Sequence, residues 1–183
     1  MGNLPGLKRN ALSGSILILV LIAIDQWTKS LAVAHLKGQA AVSLIRNILE
    51  LLYVENMGAA FGIMNGMRLI FVVLAPLVSA ALIYICLKLP EAQRFGWLKL
   101  CAILIISGAM GNWIDRVRQG YVVDFIYFKP IDFPVFNVAD IYVTCAAFGM
   151  IFLLLFYYTE EETNEIPLLG QKKKEERDPD DTD

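Results

Sequence analysis

The sequence predicts an all-α polytopic membrane protein, with four transmembrane helices and a small extended or β platform on its outer, periplasmic face. The 183-residue chain is 57% hydrophobic and has a mean hydropathy of +0.56, which makes it more apolar than typical soluble domains. It contains four apolar runs close to the length of about 20 residues that crosses a bilayer. Between the first two runs lies a stretch rich in glycine and asparagine, which is typical of turns.

The first predicted span covers residues 11–34 and is interrupted by the polar residues Asp25 to Ser30. Its basic start, apolar centre and small residues Ala32 to Ala34 are also typical of a cleavable signal peptide. However, the polar cluster falls where a signal peptide would still be apolar, and the run is long enough to cross a membrane. We therefore expect an uncut first helix.

The segment 37–68 contains too many polar residues and glycines to be a span. Within it, Ile48 to Val54 is predicted to be a strand or an amphipathic element at the membrane surface. This segment forms the predicted platform.

Three further spans are predicted at residues 69–87, 95–114 and 141–158. Residues 1–158 are thus expected to form one four-helix membrane domain. The remainder, 159–183, is rich in charge and poor in large apolar residues, which predicts a disordered cytoplasmic tail.

An even number of spans places both termini on one side of the membrane. Nine of the 16 lysines and arginines fall on that side, so the positive-inside rule makes it cytoplasmic. On this topology the segments 37–68 and 116–140 both face outward, where they can meet.

Composition limits the possible chemistry. His35 is the single histidine, and the three cysteines, Cys86, Cys101 and Cys145, all fall inside apolar runs. An odd cysteine count without paired spacing argues against a disulfide framework and against a zinc ribbon. We expect no metal, no cofactor and no nucleic-acid partner.

Asp124 and Asp140 are the candidate catalytic pair. Asp124 lies in a stretch of β-branched and aromatic residues that favours an extended segment. Asn137 is a good N-cap for the fourth helix, and Pro130 and Pro134 oppose a continuous helix between the two aspartates. The loop can therefore return Asp140 to the depth of Asp124.

Two neighbouring carboxylates do not both ionise easily, so one keeps a proton and the other stays charged. Such a pair can act as acid and base on a water molecule and a peptide carbonyl. The helix dipole favours an ionised Asp140, which leaves the proton on Asp124. The alternatives are that Asp140 is an ordinary first-turn carboxylate and that Asp124 pairs with Arg116 or Arg118.

Four further polar residues are expected near the pair, namely Asn56, Asn112, Arg116 and Asn137. They can bind a peptide backbone or stabilise an oxyanion. As alternatives, Arg116 extends toward the membrane surface and Asn112 caps a helix end.

Other functions remain open from the residues alone. A small proton-coupled transporter could use Asp25 and Asp124 as protonatable membrane groups, although no internal repeat supports it. A scaffold protein with structural charges is a third reading. A serine–lysine peptidase using Ser30 and Lys29 is disfavoured because adjacent helical residues do not face each other.

Five blocks of sequence, in order along the chain, resemble the bacterial lipoprotein signal peptidases, also called signal peptidase II. The blocks are Asp25–Lys29, Asn56–Gly62, Gly111–Arg116, Gly120–Ile126 and Phe136–Asp140.

The resemblance implies an intramembrane aspartic endopeptidase in the bacterial inner membrane, with its active site near the outer leaflet. Its substrates would be prolipoproteins carrying a diacylglyceryl group, cut on the N-terminal side of the lipidated cysteine. Membrane lipids and globomycin-type cyclic peptide inhibitors are further implied partners, and a monomer is expected.

The resemblance also implies residue roles. Asp124 and Asp140 are the catalytic dyad by this comparison. The residues that shape the site or hold substrate are Asn56, Gly58, Asn112, Arg116 and Asn137, and the supporting carboxylates are Asp25 and Asp115.

Overall fold

The computed structural model describes residues 4–58, 68–90 and 92–169, with side chains from residue 12 onward. Within these residues, four helices are long and apolar enough to cross a membrane: Leu12–Leu36, Arg68–Lys88, Gln93–Arg118 and Val138–Tyr157. They correspond to the four predicted spans and confirm the predicted fold class. Residues 59–67, expected to continue the platform, and the tail beyond 169 lie outside the described residues.

The four helices form one bundle around the third helix. Their bounds are α1 Leu4–Leu36, α2 Arg68–Lys88, α3 Gly96–Arg118 and α4 Val138–Phe152. A short 3₁₀ turn, Gln93–Phe95, leads into α3, and a π-helical turn, Leu153–Tyr157, extends α4. The helix α3 packs against each of the other three and is the centre of the bundle.

Small residues let α3 approach its neighbours closely, as is common between membrane helices. A Cβ added at Gly108 would collide with the backbone oxygen of Ala139 and would lie 2.7 Å from a methyl group of Val143, both on α4. A Cβ added at Gly111 would lie 2.5 Å from a carboxylate oxygen of Asp25 on α1. These two glycines therefore set the spacing of α3 from α4 and α1.

The predicted platform is a three-stranded antiparallel sheet. Its strands, in spatial order, are β1 Val42–Ile45, β2 Leu49–Asn56 and β3 Val122–Phe128. The β2–β3 register pairs Val54 with Asp124 and Asn56 with Val122. This register places the end of β2 beside the start of β3, next to the end of α3.

The chain after β3 doubles back, as the two prolines predict. Lys129–Ile131 form a 3₁₀ turn, and Phe136 pairs with Ile126 as an isolated antiparallel bridge. The backbone oxygen of Phe136 accepts from the amides of Phe125 and Ile126. Because Asn137 follows directly, α4 begins beside β3.

Two apolar clusters mark the two ends of the bundle. At the sheet end, defined here as the end that carries the three strands, Ala32 and Leu36 of α1 pack with Val123 and Phe125 of β3. At the opposite end, the tail end, the cluster consists of Leu89, Phe95, Leu98, Leu153, Tyr158 and Ile166.

The first part of the tail is ordered, in place of the disorder expected from residue 159. Thr159 caps a short helix, α5 Glu160–Asn164, in a capping box with Glu162. Arg94 forms an ion pair with Glu162 and donates to the backbone oxygen of Tyr157. Ile166 is only 2% exposed. A single buried apolar residue therefore anchors a segment whose composition predicts disorder.

Candidate active site

A cleft of about 470 Å³ opens at the sheet end between α2, α3, α4 and the strands. Its apolar wall includes side chains of Phe71, Leu74 and Val78 on α2. Its polar lining contains six residues singled out from the sequence: Asn56, Gly58, Asn112, Arg116, Asp124 and Asp140. The two candidate aspartates therefore share one cavity.

Asp124 lies on β3 and is 1% exposed. Its carboxylate accepts hydrogen bonds from Asn56 Nδ2 at 2.7 Å and from Asn137 Nδ2 at 2.6 Å. Burial raises the pKa of Asp124 to about 7, with a further contribution from the nearby Asp140 carboxylate. Asp124 is therefore a carboxyl group that can keep a proton near neutral pH.

Asp140 occupies the first turn of α4. It completes a capping box, in which Asn137 Oδ1 accepts from the Asp140 amide at 3.0 Å and Asp140 Oδ2 accepts from the Asn137 amide at 3.1 Å. Its other oxygen, Oδ1, accepts from Asn112 Nδ2 at 2.8 Å. The alternative of a first-turn carboxylate describes the backbone contacts correctly, but the same group also lines the cleft.

Asn137 connects the two aspartates and is fully buried. Its carbonyl oxygen caps α4 beside Asp140, while its Nδ2 donates to Asp124. One side chain thus fixes the start of α4 relative to β3, which is how residues 16 positions apart come to face one cavity.

Arg116 reaches across the cleft to the end of β2. Its Nη2 donates to the backbone oxygen of Gly58 at 3.0 Å, and its guanidinium lies 4.6 Å from the centre of the Phe71 ring. The Gly58 amide in turn donates to Asn56 Oδ1 at 2.9 Å. Arg116 therefore holds the strand end that positions Asn56, and the hydrogen bonds of Asp124 come instead from Asn56 and Asn137.

Asn112 lies inside α3, which continues to Arg118, so it does not cap a helix end. Its Oδ1 accepts from Lys29 Nζ at 2.7 Å and from Asn137 Nδ2 at 3.1 Å. Its Nδ2 is the donor to Asp140.

Asp25 and Asp115 form a buried cluster with Lys29 behind the cleft. The Lys29 ammonium lies 2.9 Å from carboxylate oxygens of both Asp25 and Asp115, and all three residues are at most 5% exposed. Asp25 Oδ1 also accepts from the amide of Ala139 in the first turn of α4. Asp25 therefore contacts both Lys29 and the start of α4.

Sequence reasoning considered Lys29 as a possible partner of Asp25 and gave neither Lys29 nor Gln26 a role in the site. Gln26 Nε2 donates to both Asp25 and Asp115. The available signal was the i,i+4 spacing of Asp25 and Lys29, which puts opposite charges on one helix face, inside a run where any charge is costly. Within the described parts of the chain, no group of three or more histidine, cysteine, aspartate or glutamate residues is placed to hold a metal ion.

Comparison with known proteins gives one consistent result. A family model described as signal peptidase (SPase) II matches residues 17–156. The chain is 42% identical to the lipoprotein signal peptidase of Streptococcus thermophilus over 146 residues, which are 80% of this chain and 92% of the relative. It is also 42% identical to that of Caldanaerobacter subterraneus over 142 residues, 77% and 94% of the two chains.

A solved structure described as a bacterial membrane enzyme shares the fold. It has 32% sequence identity and a TM-score of 0.70, and the match covers 80% of this chain and 94% of the other.

Proposed function

The chain belongs to the signal peptidase II family, and from that premise we propose that Asp124 and Asp140 are the catalytic dyad of an aspartic endopeptidase. The family makes it a multi-pass bacterial membrane protease that processes lipoproteins. The observation that carries the proposal is the shared cavity, in which Asp124 has a pKa of about 7. Asp140, at the start of α4, sits where the helix dipole favours an anion.

The proton balance of the proposed reaction is simple. Ionised Asp140 accepts a proton from a water molecule as the water oxygen adds to the carbonyl carbon of the scissile peptide bond. Asp124 gives its proton to the carbonyl oxygen, which forms a neutral tetrahedral diol. Asp140 then protonates the departing amide nitrogen, the C–N bond breaks, and Asp124 recovers a proton from a diol hydroxyl.

Three asparagines support these acid and base roles of Asp124 and Asp140. Asn56 and Asn137 donate to Asp124, and Asn112 donates to Asp140. Such amide donors hold each carboxyl group in one orientation while adding no charge of their own to the cavity. Preorganised donors of this kind lower the cost of charge development during the reaction.

The cleft also suits the proposed substrate. Its apolar wall on α2 and α3 offers contacts to the apolar helix of a signal peptide, while the aspartates lie where the spans meet the sheet. We propose that the cut falls on the N-terminal side of a diacylglyceryl-modified cysteine. The proposed arrangement has both termini in the cytoplasm, the sheet at the outer leaflet of the inner membrane, and a peptidase domain over residues 1–158.

The alternative of a small proton-coupled transporter receives less support. It requires Asp25 and Asp124 to exchange protons, but Asp25 is fully buried and is already bonded to Lys29 and to the Ala139 amide.

The test measures cleavage of a diacylglyceryl-modified prolipoprotein by purified protein in detergent. Asp124→Asn and Asp140→Asn should each lower kcat by at least about a thousandfold, because each removes a proton-transfer group. Asp132→Asn is the matched control. Asp132 is an exposed carboxylate at φ 49° on the loop between β3 and α4, a conformation that asparagine tolerates well.

Full activity of either site variant would refute the dyad. Cleavage of the unmodified prolipoprotein at an equal rate would refute the proposed substrate. A globomycin-type cyclic peptide should inhibit the wild type and the Asp132→Asn protein equally.

A further inference from the structure

The three asparagines around the dyad are oriented by a common device. In each asparagine, the side-chain carbonyl oxygen accepts a hydrogen bond from another group. The NH₂ group of that asparagine is then left to donate to an aspartate carboxylate. For Asn56 that donor is the backbone amide of Gly58, and for Asn137 it is the backbone amide of Asp140. An amide held in this way cannot rotate by 180° without losing that bond and turning an oxygen toward a carboxylate.

For Asn112, no backbone amide of the described residues has this role. Its Oδ1 accepts instead from Lys29 Nζ at 2.7 Å, and also from Asn137. The bond from Lys29 is charge-assisted and therefore stronger than a neutral one. Lys29 is 3% exposed, so little solvent is present to replace it.

We infer that Lys29 is a positioning residue for the reaction, which holds the Asn112 amide so that its Nδ2 donates to Asp140 Oδ1. This inference rests on the proposed dyad and adds to it a residue outside the cleft. Without Lys29, the flipped Asn112 presents an oxygen to the Asp140 carboxylate, which repels the base and removes one of its hydrogen bonds.

The surroundings of Lys29 explain why its ammonium stays fixed. Asp25 on α1 and Asp115 on α3 each accept from it at 2.9 Å, and Asn112 takes the third direction. Three acceptors match the three protons of an ammonium group. The two carboxylates therefore aim Lys29 at Asn112, and each also bonds the backbone of an element that carries an aspartate of the dyad, Ala139 on α4 and Val123 on β3.

A direct Lys29→Met change would leave two buried carboxylates with one positive charge fewer, which is a strong reason to misfold. The better test starts from Asp25→Asn and compares two double variants, Asp25→Asn with Lys29→Met and Asp25→Asn with Lys29→Gln. Both doubles keep the cluster at the wild-type net charge of minus one. Met and Gln have similar length, and only Gln supplies an N–H donor for Asn112 and an oxygen that can accept from the amide introduced at position 25.

The expected result is that the Met double variant has a kcat about tenfold or more below that of the Gln double variant, the effect of one hydrogen bond to a charged site. The KM for the diacylglyceryl-modified prolipoprotein should agree within about twofold, because Lys29 does not line the cleft. Both lack the ammonium, so the alkaline limb of their pH–rate profiles should coincide. Thermal unfolding of the two should also be similar.

Equal kcat values in the two double variants would overturn the inference. So would failure of both to fold while Asp25→Asn folds, because the role of Lys29 would then be stability alone. These outcomes are distinct from failure of the proposed function, in which Asp124→Asn and Asp140→Asn would themselves remain active.

Discussion

The two ends of the helix bundle each have an apolar cluster but differ in the buried side chains that connect their helices. At the sheet end, the buried side chains that connect the helices are charged or polar, with Asp25, Lys29 and Asp115 in one cluster and Asn137 beside it. At the tail end the buried cluster is apolar, and a cavity of about 300 Å³ there is lined by apolar side chains such as Leu82, Leu98 and Ile166. The same bundle thus combines buried polar contacts at one end with a buried apolar cluster at the other.

The difference follows from what each end must do. Buried polar groups are costly unless every one is bonded, and among the described side chains only the Ser79 hydroxyl is buried without a partner. In the proposed reaction the sheet end needs such groups, because an acid and a base have to act where water and a lipid-anchored peptide meet. The tail end has only to close the bundle, for which apolar contact is sufficient. Small changes in geometry at the sheet end should therefore reduce activity and stability, whereas changes of similar size at the tail end should leave activity unchanged.

Among the variants that compare the two ends of the bundle, the largest expected effect comes from Gly108→Ala. A methyl group there collides with the Ala139 backbone one residue before Asp140, and helix backbone cannot rotate out of the way as a side chain can. We expect a loss of about 1–3 kcal/mol in stability and about a hundredfold in kcat, because a shift of about 1 Å is enough for that. Cleavage assays and thermal unfolding measure the two effects. Activity within about threefold of wild type would show that the sheet end is more tolerant than proposed.

The second prediction concerns pH. Asp124 holds its proton below its pKa of about 7 and loses it above, so kcat should fall by about tenfold per unit well above that pH. The Asn56 hydrogen bond favours the ionised form and lowers the pKa of Asp124. Asn56→Ala should therefore move the alkaline limb to higher pH while reducing the maximum rate.

The control for this measurement is Lys37→Met. Lys37 forms an exposed ion pair with Glu55, the residue before Asn56, at 2.9 Å. The variant should leave the position of the limb unchanged. A limb that moves equally in both variants would mean that the shift comes from the strand and not from the hydrogen bond to Asp124.

Most of the fold follows from the sequence because its physical causes are local. Four apolar runs of spanning length predict four helices, and the structure has them. The β-branched and aromatic residues around Asp124 predict β3, and Pro130 and Pro134 predict the return of the chain. Each of these elements depends on the chain within about twenty residues.

The site is only partly accessible to the same reasoning, because it depends on contacts across the bundle. The pairing of α1 with α3 decides whether Lys29 faces lipid or Asn112, and no local pattern fixes that pairing. The spacing of Asp25 and Lys29 indicates an ion pair but cannot supply its third partner, Asp115, which is 86 residues away from Lys29. The buried position of Ile166 is missed for a related reason. The prediction for the tail uses the average composition of the whole segment, whereas the burial of one residue is enough to order its first part.

The third prediction tests the tail end. Ile166→Ala removes a buried apolar side chain from the cluster with Leu89 and Phe95, which should weaken docking of the segment 159–169 by about 2 kcal/mol. Limited proteolysis should cut this segment faster, with kcat unchanged within about twofold. Leu168→Ala is the matched control, because Leu168 is 75% exposed. A large loss of activity in Ile166→Ala would show that the two ends are coupled.

The smallest effect is expected from Gly149→Ala, which is the counterpart of Gly108→Ala on the same α3–α4 interface. A Cβ at Gly149 lies 3.3 Å from the sulfur of Cys101, the mobile end of a side chain that can rotate away, whereas the group that faces Gly108 is backbone. Alanine also favours a helix over glycine by roughly 0.5–1 kcal/mol, which offsets the tight contact. Stability by thermal unfolding should change by less than about 0.5 kcal/mol, and kcat should be unchanged. If both glycine variants lose activity to a similar degree, the entire interface is intolerant, and the contrast between a precise sheet end and a tolerant tail end is wrong.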